Sequence, residues 1–98
     1  MLTSKQRAYL KSQANNIDSI FQVGKGAVRD NMVTQIGQAL KKRELIKISV
    51  LQNCLEEVRD VADEIAKETD SEVVACIGKK VILYKENSEQ KLYDLSKI

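Results

Sequence analysis

The chain has 98 residues, 43% of them hydrophobic, which fits one domain with enough core to fold without disulfide or metal staples. It contains no histidine, and this excludes Ser–His and Cys–His nucleophile pairs and histidine metal ligands. The net charge is only +2, yet residues 1–52 carry a net +6 and residues 53–98 a net −4. Because screening acts over about 8–10 Å, the basic half can attract a polyanion although the whole chain is nearly neutral.

The first predicted element is a helix. Thr3-x-x-Gln6 has the pattern of a capping box, and no helix breaker occurs from Gln6 to Ala14. Asn15-Asn16 is then expected to end the helix. Its surface carries the cations Lys5, Arg7 and Lys11.

A short apolar strand at residues 20–23, with Phe21 expected in the core, leads into Gly24-Lys25-Gly26-Ala27. A glycine-rich loop between a strand and a helix presents unpaired backbone N–H groups, and Lys25 adds a positive charge. The loop therefore predicts a phosphate site. The alternative interpretation is that the glycines only reverse the chain direction.

The second helix is predicted from about Arg29 to Lys42, with one apolar face. Gly37 lies inside it, at a cost of about 1 kcal/mol relative to alanine, so we expect it to permit close approach to the sheet. The helix ends in Lys41, Lys42 and Arg43, where cations favour the helix dipole. We interpret these three mainly as helix-terminating residues, with a secondary role in binding.

The second strand alternates Ile46, Ile48 and Val50 with polar residues. A third helix is predicted to begin at Asn53, with Glu56 completing a capping pair. We expect this helix to bury Leu55, Val58, Ala62 and Ile65 and to expose an acidic face. Two strands at residues 73–77 and 81–84 follow, joined by Gly78-Lys79-Lys80, where Gly78 supplies a positive φ.

The resulting order is α-β-α-β-α-β-β, an α/β fold. Right-handed crossovers make the first three strands parallel, so the Gly24 loop and the Gly78 hairpin are predicted at the same edge of the sheet. Ligands favour that edge in open α/β sheets. Lys41, Lys42 and Arg43 lie about fourteen residues from the start of their helix, which places them roughly 20 Å away at the opposite end.

Three segments resemble the signature blocks of the CRM domain, and the chain is similar to the stand-alone bacterial YhbY-type proteins. The blocks are residues 20–28, 39–47 and 77–84, and the resemblance covers residues 2–85. It implies a four-stranded mixed sheet with helices packed on it, as in the C-terminal domain of translation initiation factor three. It also implies RNA binding, and for the bacterial stand-alone form an association with precursors of the large ribosomal subunit.

The family's loop is Gly-x-x-Gly, which maps onto Gly24, Lys25, Gly26 and Ala27, so alanine replaces the last glycine. We expect Gly26 to supply the backbone freedom instead. The predicted RNA-binding residues are Gly24, Lys25, Gly26, Ala27, Arg29, Lys5, Arg7, Lys11, Lys79 and Lys80, with Lys41, Lys42 and Arg43 as a secondary set. With only four aromatic residues, recognition is expected to depend on RNA shape and backbone more than on base identity.

Two alternatives stay open. The acidic third helix could engage a basic ribosomal or assembly protein, which would make the chain a protein-interaction adaptor. An enzyme acting on phosphorylated substrates is disfavoured, because the chain lacks the Gly-x-x-x-x-Gly-Lys-Ser/Thr pattern and a credible base. We therefore expect no catalytic residue and no small-molecule substrate.

Cys54 and Cys76 lack the spacing of a metal or redox site and are interpreted as small apolar residues. No apolar run approaches the ~20 residues of a membrane span, and the first residues lack a secretory signal. We expect a cytoplasmic protein with no membrane partner, metal or cofactor. It is expected to be a single domain over residues 1–98, with a core at about 2–85 and a flexible tail at about 86–98.

Overall fold

The computed structural model describes residues 2–26, 30–87, 92, 93, 95 and 98. Its elements in chain order are α1 (Ser4–Ala14), β1 (Ser19–Val23), α2 (Asp30–Arg43), β2 (Leu45–Val50), α3 (Val58–Thr69), β3 (Glu72–Ile77) and β4 (Lys80–Tyr84). The predicted order and the predicted class, α/β with a four-stranded mixed sheet, are confirmed. Of the helices in the described part of the chain, none is long and apolar enough to cross a membrane.

The sheet has the strand order β1-β2-β4-β3. β1 pairs with β2 in parallel, and β4 is antiparallel to both β2 and β3. The strands β1, β2 and β3 therefore point in one direction, as the crossover rule predicted. Their carboxyl ends meet at one edge of the sheet.

Alternating side chains send each face of the sheet to a different layer. Ile46, Ile48 and Val50 of β2 belong to the main core, which they share with the buried residues of α2 and α3. The opposite face carries a second cluster, in which α1 packs over Leu45 and Tyr84. The sheet therefore lies between two helices on one side and α1 on the other.

The start of α1 follows the predicted capping box. The Thr3 side chain accepts a hydrogen bond from the Gln6 amide, with an N–O distance of 3.1 Å, and the Thr3 amide donates to Gln6 Oε1 at 2.9 Å. The helix ends at Asn15, as expected. This element could be predicted because its stop and start signals are local.

The predicted start of α3 is wrong. The helix begins at Val58 with Glu57 as its N-cap, and Leu55 is 90% exposed rather than buried. One tertiary hydrogen bond and one local hydrogen bond hold the preceding segment as a turn. The Leu51 amide donates to the distant Val23 carbonyl, and the Cys54 amide donates to the Leu51 carbonyl within the turn. These contacts outweigh the weak local capping signal at residue 53.

Two expectations about packing are also corrected. A Cβ built at Gly37 would meet nothing within 4 Å, so this glycine does not mediate close approach to the sheet. Phe21 is only partly buried and packs against the rim of the main core. Because β1 is an edge strand, the Phe21 ring has no neighbouring strand on one side.

Glu44 connects α2 to β2 in an unusual way. It is fully buried and adopts the left-handed conformation with φ 60°. Its carboxylate accepts hydrogen bonds from the Tyr84 hydroxyl, at 3.3 Å, and from the Leu92 amide. The same carboxylate thus anchors the end of β4 and one residue of the C-terminal segment.

Candidate nucleic-acid interface

The three connections at the carboxyl ends of the strands are hydrogen-bonded to one another. The Leu51 amide donates to the Val23 carbonyl at 2.8 Å, and the Val50 amide donates to the Lys79 carbonyl at 2.7 Å. We call this region the carboxyl edge and define it as residues 24–26, 51–53 and 78–80. Because neighbouring strands lie about 4.8 Å apart and only β2 separates β1 from β4, the carboxyl end of β1 lies within about 10 Å of the amino end of β4.

The loop after β1 depends on its two glycines for different reasons. A Cβ at Gly24 would lie 3.1 Å from Asn53 Oδ1 and 3.4 Å from Leu51 Cδ1, so the backbone is packed closely against the turn after β2. Gly26 has φ 91°, which confirms the expectation that it supplies the backbone freedom. Lys25 and Gly26 are exposed. The predicted site residues Ala27 and Arg29 lie outside the described residues.

The β3–β4 hairpin contributes the other predicted cations of this edge. Gly78 has φ 58°, as the hairpin pattern predicted, and Lys79 is exposed. Lys80 extends over the sheet face that α1 covers elsewhere, where its Nζ donates to Ser49 Oγ at 2.6 Å and to Ser19 Oγ at 3.3 Å. Ser49 in turn donates to Ser19 at 2.8 Å. The hydroxyls therefore hold the Lys80 ammonium in place.

A further lysine of this face was missed from the sequence. Lys47 is half-buried and alternates with the core residues of β2, so it lies on the same face as Ser49. Its Cα pairs with that of Ile82, two residues along β4 from Lys80. The sequence contains the pattern that indicates this position: the period-two alternation that places Ile46 and Ile48 in the core also places Lys47 on the opposite face of the sheet.

The charges at the carboxyl edge are mainly positive and accessible. Within residues 2–26 and 30–87, neither Lys25 nor Lys79 takes part in an ion pair. The nearest acidic residue by position is Asp30 in the first turn of α2, where it stabilises the helix start. The edge thus combines exposed backbone with cations that the fold does not neutralise.

The predicted cations of α1 lie elsewhere. The Leu2 amide donates to Glu72 at the start of β3, at 3.0 Å, and α1 packs over the start of β2, so the helix crosses the amino end of the sheet. Lys5 and Lys11 are exposed. Arg7 donates to the Val73 carbonyl and lies 3.6 Å from a Glu72 oxygen. The structure therefore does not bring these three residues to the Gly24 loop.

The surroundings of Glu72, which include Leu2 and Arg7, change the pKa of its carboxyl group. Partial burial opposes its ionisation, but the hydrogen bond from the Leu2 amide and the nearby positive charges, Arg7 among them, outweigh that effect and lower the pKa of the carboxyl below its ordinary value. Arg7 thus has a partner within the fold.

The secondary set is exposed at the last turn of α2, opposite the Gly24 loop as predicted: Lys41, Lys42 and Arg43. These cations border an open groove of about 560 Å³ between α2 and β1. The acidic residues of α3 are exposed on its outer side, and one of them, Asp63, lies 3.2 Å from Arg59. Among the described residues, no group of three histidine, cysteine or acidic side chains could hold a metal ion.

Comparisons with known proteins agree with one another. A family model described as the CRS1 / YhbY (CRM) domain matches residues 2–85. The chain is 53% identical over 95 residues to "Probable RNA-binding protein YqeI" of Bacillus subtilis, covering 97% of this chain and 99% of the relative. A Haemophilus influenzae relative named "RNA-binding protein" is 29% identical over 91 residues, covering 93% of this chain and 92% of that one.

A solved structure agrees with the fold as well. The solution structure of SAV1595 from Staphylococcus aureus is 46% identical in sequence and superimposes with a TM-score of 0.82. The match covers 96% of this chain and 98% of that one. The arrangement of helices and strands described above is therefore shared with a solved protein over nearly its whole length.

Proposed function

This chain belongs to the CRS1/YhbY (CRM) domain family, and from that premise we propose that it binds structured ribosomal RNA through the carboxyl edge, during assembly of the large ribosomal subunit. The observation that carries the proposal is the joining of the Gly24 loop to the Lys79 hairpin at one basic edge. The names of the relatives support an RNA partner.

The proposed mechanism is clamping of the RNA backbone. Exposed N–H groups of the loop and the N-terminal end of α2 would hold one phosphate, because unpaired amides and the helix dipole both favour an anion there. Lys25 and Lys79 would contact neighbouring phosphates as mobile charges. Lys80 differs from them, since its two serine partners fix the ammonium above the sheet. Arg29 joins this set by its position in the sequence.

Binding of this kind depends on salt. If about four phosphates are neutralised, affinity should fall about a hundredfold between 50 and 200 mM salt. The measurement is a titration of labelled ribosomal RNA hairpins at several salt concentrations. An affinity that does not respond to salt would contradict the proposal.

The sharper test removes single charges. Lys25→Ala is expected to weaken RNA binding about tenfold at 0.1 M salt and to reduce the salt slope by about one. The matched control is Lys67→Ala, which removes an exposed cation from the last turn of α3. Equal losses in the two variants would show that only overall charge matters, and an unchanged affinity of Lys25→Ala would move the site elsewhere.

The alternative function, a protein-interaction adaptor, is supported by the exposed acidic side of α3. Charge reversal at Asp60 and Glu64 separates the two functions. The RNA proposal expects ribosome association to persist in this variant. Loss of association with intact RNA affinity would favour an adaptor that engages a basic protein.

A further inference from the structure

The groove between α2 and β1 lies apart from the carboxyl edge and has a different chemistry. Its floor is apolar, formed by Ile20, Phe21 and Ala39. Gln35 and Gln38 stand on its helical wall. The residues 35, 38, 39 and 42 follow the i, i+3, i+4, i+7 spacing of one helix face, so α2 presents this stripe along the edge strand. The groove is thus built by two regular elements.

The rim of the groove is cationic. Lys41, Lys42 and Arg43 border it at the end of α2, and all three are exposed. Of the described residues that line the groove, none carries a carboxylate. A smaller neighbouring cavity of about 250 Å³ shares Ile20, Lys42 and Arg43 and adds Asp18. An anionic ligand would therefore favour the side of the groove next to Lys41.

We propose that this groove binds one unpaired nucleotide of the same RNA, with the base beside the Phe21 ring and its phosphate on the α2 cations. The inference rests on the proposed function and extends it from backbone contact to recognition of single-stranded RNA. An aromatic ring flanked by cations is the usual arrangement for an unstacked base. The two glutamine amides each offer both a donor and an acceptor to the base edge.

The groove and the loop are close enough to act on one RNA. Phe21 lies three residues before Gly24 on β1, which corresponds to about 10 Å along the strand. A stacked nucleic-acid strand advances about 3.4 Å per nucleotide, so about three nucleotides would separate the Phe21 ring from the loop. About six would span the roughly 20 Å between the α2 cations and the start of α2. An acidic peptide with an apolar side chain is the competing occupant, and the experiment below distinguishes it.

The first experiment follows side-chain resonances of the full chain by NMR. A short oligouridylate is added in one titration and a blunt RNA duplex with the same number of phosphates in another. The proposal expects the Phe21 ring signals and the Gln38 amide signals to shift with the oligouridylate and to stay unchanged with the duplex. Equal shifts with both probes, or silence with both, would overturn it.

The loop resonances separate this inference from the proposed function. Shifts confined to Lys25 and Gly26 would leave the proposed function standing and refute the groove. An absence of shifts in both regions, with ribosomal RNA as a further probe, would refute both. If a short acidic peptide containing leucine shifts the groove signals and RNA does not, the groove belongs to a protein partner and the inference is wrong.

Variants provide the second experiment. Gln38→Glu places a carboxylate among the groove residues, and Phe21→Leu removes the ring while keeping an apolar side chain. Phe21→Leu is expected to weaken oligouridylate binding about tenfold, within the range that loss of one base–aromatic stack produces. Gln38→Glu is expected to weaken it by a similar factor, because the new carboxylate repels the phosphate. Neither variant should change duplex binding. Gln13→Glu makes the same isosteric change on α1, across the sheet, and should have no effect. A loss for the duplex as large as for the single strand would contradict the inference.

Discussion

The two ends of the sheet use charged residues in opposite ways. At the amino end, the Glu44 carboxylate is buried with two hydrogen-bond donors, and Arg7 is engaged by Glu72 and Val73. At the carboxyl edge, Lys25 and Lys79 are exposed and make no ion pair within the described residues. A charge that the fold already satisfies contributes to stability, whereas one left in solvent remains available to a ligand.

Removing the buried carboxylate should destabilise the amino end of the sheet more than any other single change described below. Glu44→Ala leaves the buried Tyr84 hydroxyl and the part-buried Leu92 amide without their acceptor, and an unsatisfied buried group costs about 1–3 kcal/mol. We expect the free energy of unfolding in urea to fall by about 3 kcal/mol. The RNA affinity of the folded protein should not change.

The control for this change is Glu68→Ala, which removes an exposed carboxylate from α3 and should leave the urea midpoint unchanged. If Glu44→Ala were as stable as the control, the amino end would not depend on its buried charge. A weakened RNA affinity at full stability would place a ligand contact at the wrong end of the sheet.

Alkaline pH is a gentler probe of the same cluster. Burial, reinforced by the negative charge of Glu44, raises the pKa of the Tyr84 hydroxyl well above its ordinary value. The folded state therefore holds this proton more tightly, so the stabilisation is complete below about pH 10 and is lost as the pH rises further. We expect the loss to approach about 1.4 kcal/mol per pH unit above that point.

Tyr84→Phe isolates this titration, because burial also raises the pKa of Tyr93 and both contribute in the native protein. Near neutral pH the variant should be less stable by about 1 kcal/mol, the value of one lost hydrogen bond. The difference should narrow as the pH rises above about 10. Parallel stability curves for the two proteins would contradict the assignment to Tyr84.

Arg7 is a cation at the amino end of the sheet. Arg7 was expected to contact RNA, but its contacts to Val73 and Glu72 assign it to the fold, and we propose that its role is structural. Arg7→Ala should lower the free energy of unfolding by about 1 kcal/mol, a small value because the pair is partly exposed. RNA affinity should fall less than in Lys25→Ala.

Lys5→Ala provides the matched change on the same helix, since Lys5 is exposed, and it should leave stability unaltered. Acid conditions offer an independent check. Because the pKa of Glu72 is lowered, its contribution to folding stability is complete above the ordinary carboxyl pKa. It is lost as the pH falls below that value and through the lowered pKa. Arg7→Ala should show less of this acid sensitivity than the native chain.

The sequence predicted the features that depend on local patterns. The capping box at Thr3, the alternation in β2 and the glycines with positive φ at Gly26 and Gly78 are all confirmed. The common direction of β1, β2 and β3 followed from the handedness of crossovers. Together these brought the Gly24 loop and the hairpin to one edge.

The remaining features depend on contacts between distant residues. The turn after β2 is hydrogen-bonded to Val23 and packs closely against Gly24, so the helix signal at Asn53 could not predict where α3 begins. Glu44 looks like an ordinary charged residue at a helix end, and its partners, Tyr84 and Leu92, lie 40 and 48 positions away. The Phe21 groove required knowledge that β1 is an edge strand.

Gly37 belongs to neither end of the sheet, and its replacement should change stability only slightly. Gly37 lies in the middle of α2, and the space around its Cβ position is open. Gly37→Ala should therefore raise the free energy of unfolding by about 0.5–1 kcal/mol, through the better helix propensity of alanine, with no change in RNA affinity. Thermal and urea unfolding measure this gain.

Gly24→Ala is the contrasting variant, since its Cβ would lie 3.1 Å from Asn53 Oδ1, and its free energy of unfolding should fall. Similar outcomes for the two glycines would mean that the close contact at the carboxyl edge does not constrain the loop.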